Sequence, residues 1–308
     1  VKANYTTMTI ILEKYRKPNH FEGFYVRLCD PGNAVNLALI WAATSHVDDP
    51  HAFIQVFDGV RKENTYHRFD ADAFYEEGGT LHIGNNTLSD ASIHIAVSNL
   101  TLEGTFKNLE PNRKSAMGFL RHFPLQCFQE VLHMNGSFEG SIALNNAPKK
   151  DFTASIYMEK TFGKRFPDRW FWLQANHFDD PSAMLSSAGG RVPLLFFRIF
   201  GFFALFRHKG KTYRFGSFKG SKIKISDVTD KKVVRFSSLR HTLIVEITIN
   251  RPTVLKGPAE YGKMELDVHE TIDSQVTLTL RKGSTTLFKG TSPLAGVEWM
   301  LNSNNQKE

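Results

Sequence analysis

The side chains with the most chemical capacity in this 308-residue chain lie in one stretch, Ile156 to Phe178, reading IYMEKTFGKRFPDRWFWLQANHF. Two short β-like arms, Ser155–Lys160 and Trp170–Phe178, flank a connector in which Gly163, Pro167 and Asp168 supply turn chemistry. A period of two in the second arm puts Trp170, Trp172, Gln174 and Asn176 on one face and Phe171, Leu173 and Ala175 on the other. The second of these faces is plain core. The first joins two indoles to two neutral amides, which suits a cavity that binds a large aromatic or isoprenoid molecule by area and orients it by a few hydrogen bonds. In the first arm the same alternation places Tyr157 and Glu159 on one face and Met158 and Lys160 on the other. Glu159 and Lys160 are therefore neighbours in sequence without being partners.

EKTFG at Glu159–Gly163, FP at Phe166-Pro167 and WFWLQAN at Trp170–Asn176 resemble the EKNWG, FP and WFW-Q-N pattern of the tocopherol cyclases and their bacterial relatives, at nearly the same spacing. Further pieces match in the same order: FEGFY at Phe21–Tyr25, the apolar strand ending near Trp41, IQV at Ile54–Val56, GNN at Gly84–Asn86, AGG at Ala188–Gly190 and AGVE at Ala295–Glu298. The departures are Thr161-Phe162 where the plant enzymes have Asn-Trp, and Phe24 where Trp is common. The resemblance implies two lipocalin-like barrels in tandem and a cyclase of the isomerase or lyase class, with a non-catalytic binder of a hydrophobic isoprenoid or lipid as the alternative. Such cyclases protonate the alkene of a prenylated hydroquinone, and the phenol oxygen then captures the tertiary cation to close a chroman ring. That chemistry needs a protonated acid, a dry cavity and aromatic faces for the cation.

The resemblance makes Glu159, beside Tyr157, a candidate proton donor, with Glu22, Tyr25 and Glu298 as weaker candidates carried over from matching positions; sequence alone does not assign the acid. Burial would raise the Glu159 pKa by desolvation, whereas a structural carboxylate paired with a nearby Arg or Lys is the other reading. Trp170 and Trp172 would flank the cation or simply pack, and Gln174 and Asn176 would hold ring hydroxyls, since buried amides must find partners. Tyr25 is carried over from FEGFY as a binding residue. Gln55, between Phe53 and Phe57 on one strand face, is either a cavity amide or an ordinary strand glutamine.

The elements that must position these residues are short strands. Glu22–Cys29 and Val35–Thr44 flank the turn Asp30-Pro31-Gly32-Asn33, and Ala52–Asp58 follows. From there to Thr286–Lys289 short alternating runs recur with turn residues between them, and helical periodicity is almost absent. Leu109–Glu130 breaks the pattern and reads as a loop with a short helix, long enough to be a lid or plug. The expectation is an all-β protein of two antiparallel barrels, residues 1–148 and 149–308, divided at the polar stretch Asn145–Asp151.

Composition excludes several function classes. Lys and Arg number 38 against 31 Asp and Glu, a net charge of +7, yet the basic residues are dispersed and no nucleic-acid-binding motif accompanies them. No nucleic acid partner is expected; the partner is a hydrophobic small molecule, with peripheral contact to an acidic bilayer as the secondary reading. The run Leu194–Phe206 is the most apolar, but with Arg198 and Gly201 inside it is too short to span a bilayer and reads as a Phe-rich strand. There is no phosphate loop, nucleophile elbow or paired-cysteine pattern, and the twelve histidines lack ligand spacing, so neither a cofactor nor a metal is expected. Two cysteines point to a reduced, cytoplasmic setting, and the apolar patch at Met8–Leu12, cut short by Glu13 and Lys14, is not a secretory h-region with a cleavage site.

Overall fold

The computed structural model describes residue 8 and residues 17–194 and 197–301. Apart from Met8, the N-terminal patch lies outside these residues, as do Leu195 and Phe196 of the apolar run. The described chain forms two compact units. The first holds the described residues up to Ser115, with Gln126–Phe166 and Leu255–Asp267; the second holds Ala116–Leu125, Pro167–Val254 and the described residues from Val268 on.

In the first unit β1 (Phe21–Asp30), β2 (Val35–Thr44), β3 (His51–Asp58) and β4 (Glu63–Phe69) form a meander. It is followed by β5 (Phe74–Glu77), β6 (Thr80–Ile83), β7 (Asn86–Leu88), β8 (Ser92–Val97) and β9 (Leu100–Lys107), then β10 (Cys127–His133), β11 (Ser137–Leu144) and β12 (Lys150–Gly163). β12 organises this sheet. β1 lies along one of its edges, while β11 pairs with its first half and β10 with its second on the other edge. Alternation decides the core: Phe24, Val26 and Leu28 of β1, Leu37, Leu39 and Trp41 of β2, and Ile156 and Met158 of β12 point to one side, where Leu81, Ile95, Leu102 and Phe138 meet them. The sheet thus curls around its own apolar side.

The second unit contains β13 (Trp170–Ala175), β14 (Met184–Leu194), β15 (Phe197–His208), β16 (Lys211–Gly216), β17 (Lys222–Val228), β18 (Lys231–Ser237) and β19 (His241–Thr248). The long β21 (Met264–Lys282) and β22 (Thr285–Trp299) complete its sheet, and β20 (Thr253–Pro258) pairs with β21; β20 from Leu255 and β21 up to Asp267 are counted with the first unit. Its core gathers Phe171, Leu173, Ala175, Phe206, Phe236, Val245, Leu278 and Val297.

The all-β, antiparallel class is as expected. Closure is not: among the described residues pairing runs from β4 to β5 in one sheet and from β16 to β17 in the other, and neither path returns on itself. The terminal strands β4 and β5 are mostly half-buried or exposed, so their outer edges can be left to water. The stretch 109–130 holds a single turn of 3-10 helix at Gly118–His122, but from Cys127 it is already strand. β10 hides there because both of its faces are covered in its second half, which removes the period of two.

Candidate active site

The two faces of β12 carry different chemistry. On the core side, Lys160 Nζ lies 3.0 Å from Glu22 Oε1, with both side chains essentially inaccessible at 0% and 1% exposure. The rings of Phe24 and Phe162 lie 5.1 and 5.6 Å from the same ammonium. These are the two aromatic positions at which the chain departs from the usual pattern of the family it resembles. Glu130, directly opposite Lys160 in register, accepts a 2.5 Å hydrogen bond from the Ser115 hydroxyl. Burial pulls the Lys160 pKa below 10.5, and the nearby Glu22 carboxylate partly offsets that fall.

The other face of the same strand carries Tyr157 and Glu159. The Tyr157 hydroxyl donates to Glu159 Oε2 at 2.6 Å, and Gln129 Nε2 donates to the same oxygen at 2.9 Å. Glu159 is 5% exposed, and Tyr25, its register partner on β1, sets its ring edge-on to Tyr157 at 6.5 Å. Arg27 is opposite Tyr157, buried, with Nε and Nη2 directed at Asn36 Oδ1. The structure therefore brings Glu159, Tyr157 and Tyr25 together and sets Glu22 on the far side of the sheet, bound to Lys160.

Gln55 is held by backbone. Its Oε1 accepts from Lys256 N at 2.9 Å and its Nε2 donates to Lys256 O at 3.2 Å, so the side chain mimics a strand partner for the segment crossing it; Asn64 Nδ2 donates to the same Oε1. His46 lies in the turn before β3, where its Nδ1 accepts from Asp48 N, and His51, the first residue of β3, reaches the Asp49 carbonyl and the Tyr66 hydroxyl. Among the described residues no three His, Cys, Asp or Glu side chains gather as a metal site.

In the second unit β13 divides as its alternation requires. Phe171, Leu173 and Ala175 enter the core, while Trp170, Trp172, Gln174 and Asn176 are buried on the opposite face. Trp172 is opposite Glu298 of β22, and Glu298 is opposite Glu270 of β21, so one row across three strands reads indole, carboxylate, carboxylate. The Trp170 indole N–H donates to Glu298 Oε2 at 2.5 Å. Gly296 is required by Trp172: a Cβ there would lie 2.6 Å from the indole Cζ3. Gly296→Ala should thus push the indole out of place and cost about 1–3 kcal/mol, the usual range for overpacking. A lowered thermal midpoint with a shifted tryptophan emission is the expected result; an unchanged protein would mean the indole lies elsewhere.

Gln129, Glu130, Ser115 and Glu270 escaped the sequence reading. The first two sit on a strand masked by its lack of alternation, and Ser115 lies outside any regular element. Glu270 could have been found from Glu298 only by knowing the register of β21 against β22, which a bulge after Thr271 interrupts.

Known structures share this architecture at low identity. A Nitrosomonas europaea protein assigned as AttH aligns over 98% of this chain and 99% of its own, with 12% identity and a TM-score of 0.55. Kievitone hydratase from Nectria haematococca aligns over 92% and 90%, with 12% identity and a TM-score of 0.50. CghA with Sch210972 aligns over 92% and 89%, with 7% identity and a TM-score of 0.54. At such identities the likeness is one of fold. Among curated proteins none matches. The sequence profile described as tocopherol cyclase-like matches residues 100–299, well over half of the chain, from β9 through β22, and the chain belongs to that family.

Proposed function

We propose that this protein is a cofactor-independent cyclase that closes an oxygen-containing ring on a prenylated phenol, hydroquinone or related isoprenoid. The observation that carries the reading is the setting of Glu159, a buried carboxyl whose Oε2 receives both the Tyr157 hydroxyl and the Gln129 amide. In the proposed acid form the proton is carried on Oε1, since both donors occupy Oε2. In the proposed step that proton passes to the less substituted alkene carbon, a tertiary cation forms, and the phenol oxygen attacks it. Loss of the phenol proton then restores the carboxyl. The ring faces of Tyr157 and Tyr25, set edge-on to each other, are the proposed stabilisers of the cation.

In the second unit Trp170, Trp172, Gln174 and Asn176 are proposed to bind apolar ligand, the indoles by area and the amides by hydroxyl groups. Kievitone hydratase, by its name, adds water, and hydration of an alkene shares the protonation step; that parallel is an analogy of fold and supports the reading only as such.

Incubation of the purified protein with a panel of prenylated phenols and hydroquinones, without added metal or nucleotide, tests the proposal. A ring-closed product that accumulates over many turnovers is expected. Tight retention of such a ligand with no product would identify a binder instead.

A further inference from the structure

The strands β14 and β15 continue past both of their neighbours. β13 pairs with β14 only over Leu185–Gly190, and β16 pairs with β15 only over Phe203–His208, whereas the two strands stay paired with each other out to Leu194 and Phe197. Four residue steps at about 3.4 Å each give a two-stranded ribbon reaching about 14 Å beyond the Gly190–Gly201 pair. A ribbon of two strands is marginal in water, and this one is apolar in sequence.

The ribbon is also two-faced. Val192 is opposite Ile199, and Phe197, two residues before Ile199, shares their face, which carries Gly190 and Gly201 at its base. Arg191 and Arg198 take the other face, both exposed, with Arg198 paired to Asp168. Phe197 is 74% exposed. The apolar face does not stop at the base: Gly190 is the register partner of Trp170, and the next row along it reads Trp172, Ala188, Phe203. A stripe without charge thus runs from the exposed Phe197 to the buried indoles of the same unit.

We infer that this ribbon is a docking element for an anionic lipid bilayer, with Val192, Phe197 and Ile199 entering the interface and Arg191 and Arg198 meeting acidic headgroups. Large exposed aromatics beside cations are the composition that a charged bilayer surface selects. Depth is limited by the backbone. The outer edges of the two strands carry peptide groups that need water or headgroup partners, so the ribbon lies in the interfacial layer and does not cross the hydrocarbon. An amphiphile leaving the bilayer along the apolar face would reach Trp170 and Trp172 without crossing a charged side chain. Docking is independent of turnover and holds for a cyclase or a binder.

Sedimentation of the full chain with phosphatidylcholine vesicles, with and without phosphatidylglycerol, tests the inference. The protein should bind the anionic vesicles preferentially and release as salt rises. Phe197→Ser should weaken binding about tenfold, the order expected for one interfacial aromatic. Arg191→Glu should abolish the preference for phosphatidylglycerol, and both variants should keep the circular-dichroism spectrum of the parent, since both side chains are exposed. Absence of vesicle binding would overturn the inference, as would binding indifferent to Phe197. A dimer in light scattering that Phe197→Ser dissolves would also overturn it, by assigning the ribbon to a second copy of the chain.

Discussion

Glu159→Gln should lower turnover by about 10²–10⁴-fold, the usual contribution of a positioned general acid, while ligand affinity stays within a few-fold. The amide keeps the size of the acid, and its carbonyl can still accept from Tyr157 and Gln129, so the local hydrogen bonds survive. What it lacks is the proton for the alkene. The carboxyl also lies on the other side of the strand from the Lys160–Glu22 pair, so that pair is kept and the melting temperature should change little. Single-turnover assays together with ligand titration and thermal denaturation check all three quantities. Normal turnover in a folded Glu159→Gln protein would remove this residue from the mechanism and return attention to Tyr157, Glu298 and Glu270.

The neighbouring residue should behave in the opposite way. Lys160→Met removes an ammonium enclosed by Glu22, Phe24 and Phe162 and leaves a carboxylate buried without it, a change that costs about 3–5 kcal/mol in fully buried pairs. Replacing both partners, Lys160→Met with Glu22→Gln, should recover most of that loss, because the pair's own net contribution is small once desolvation is counted. Folded Lys160→Met should keep its turnover per active site.

Glu22→Gln alone adds a pH signature. Burial already lowers the Lys160 pKa, and Glu22 is what holds it up, so its removal lowers that value further. The unfolded chain keeps the lysine proton up to 10.5, whereas the native state sheds it earlier; between those two values native stability rises with pH, and it is lost as pH falls toward the folded value. The Glu22→Gln protein should therefore gain more stability than the parent between neutral pH and 10.5 in urea titrations. A single-variant cost below about 1 kcal/mol would mean the pair is solvated.

The sequence made some of this legible and concealed the rest, for reasons that can be located. The division of β13 into a Phe171–Leu173–Ala175 side and a Trp170–Trp172–Gln174 side followed from alternation alone, since a period of two admits only that split. The same rule put Glu159 and Lys160 on opposite faces. It could not say which partner each would find, because Glu22 lies more than a hundred residues from Lys160 and meets it only through the register of β1 on β12. Barrel closure is not written in the pattern: short alternating strands fit a closed barrel and a curled open sheet equally, and only the pairing of the last strands separates them. Gln55 shows another limit. A glutamine between phenylalanines looks the same whether it faces a ligand or, as here, the peptide group of Lys256.

That peptide group belongs to a segment with consequences for how such proteins can be recombined. Leu255–Asp267 belongs to the first unit although it is encoded far downstream of the rest of it. Gln55 holds Lys256, Thr44 Oγ1 donates to the Gly262 carbonyl at 2.8 Å, Phe166 N donates to the Pro258 carbonyl at 3.1 Å, and Arg165 pairs with Glu260. Ala116–Leu125 makes the reciprocal loan, encoded within the first unit and counted with the second. No single crossover can therefore exchange one unit between relatives as an intact module. A chimaera joined anywhere between Phe166 and β20 would inherit Thr44, Gln55 and Arg165 from one parent and their partners from the other, so these contacts must be inherited together.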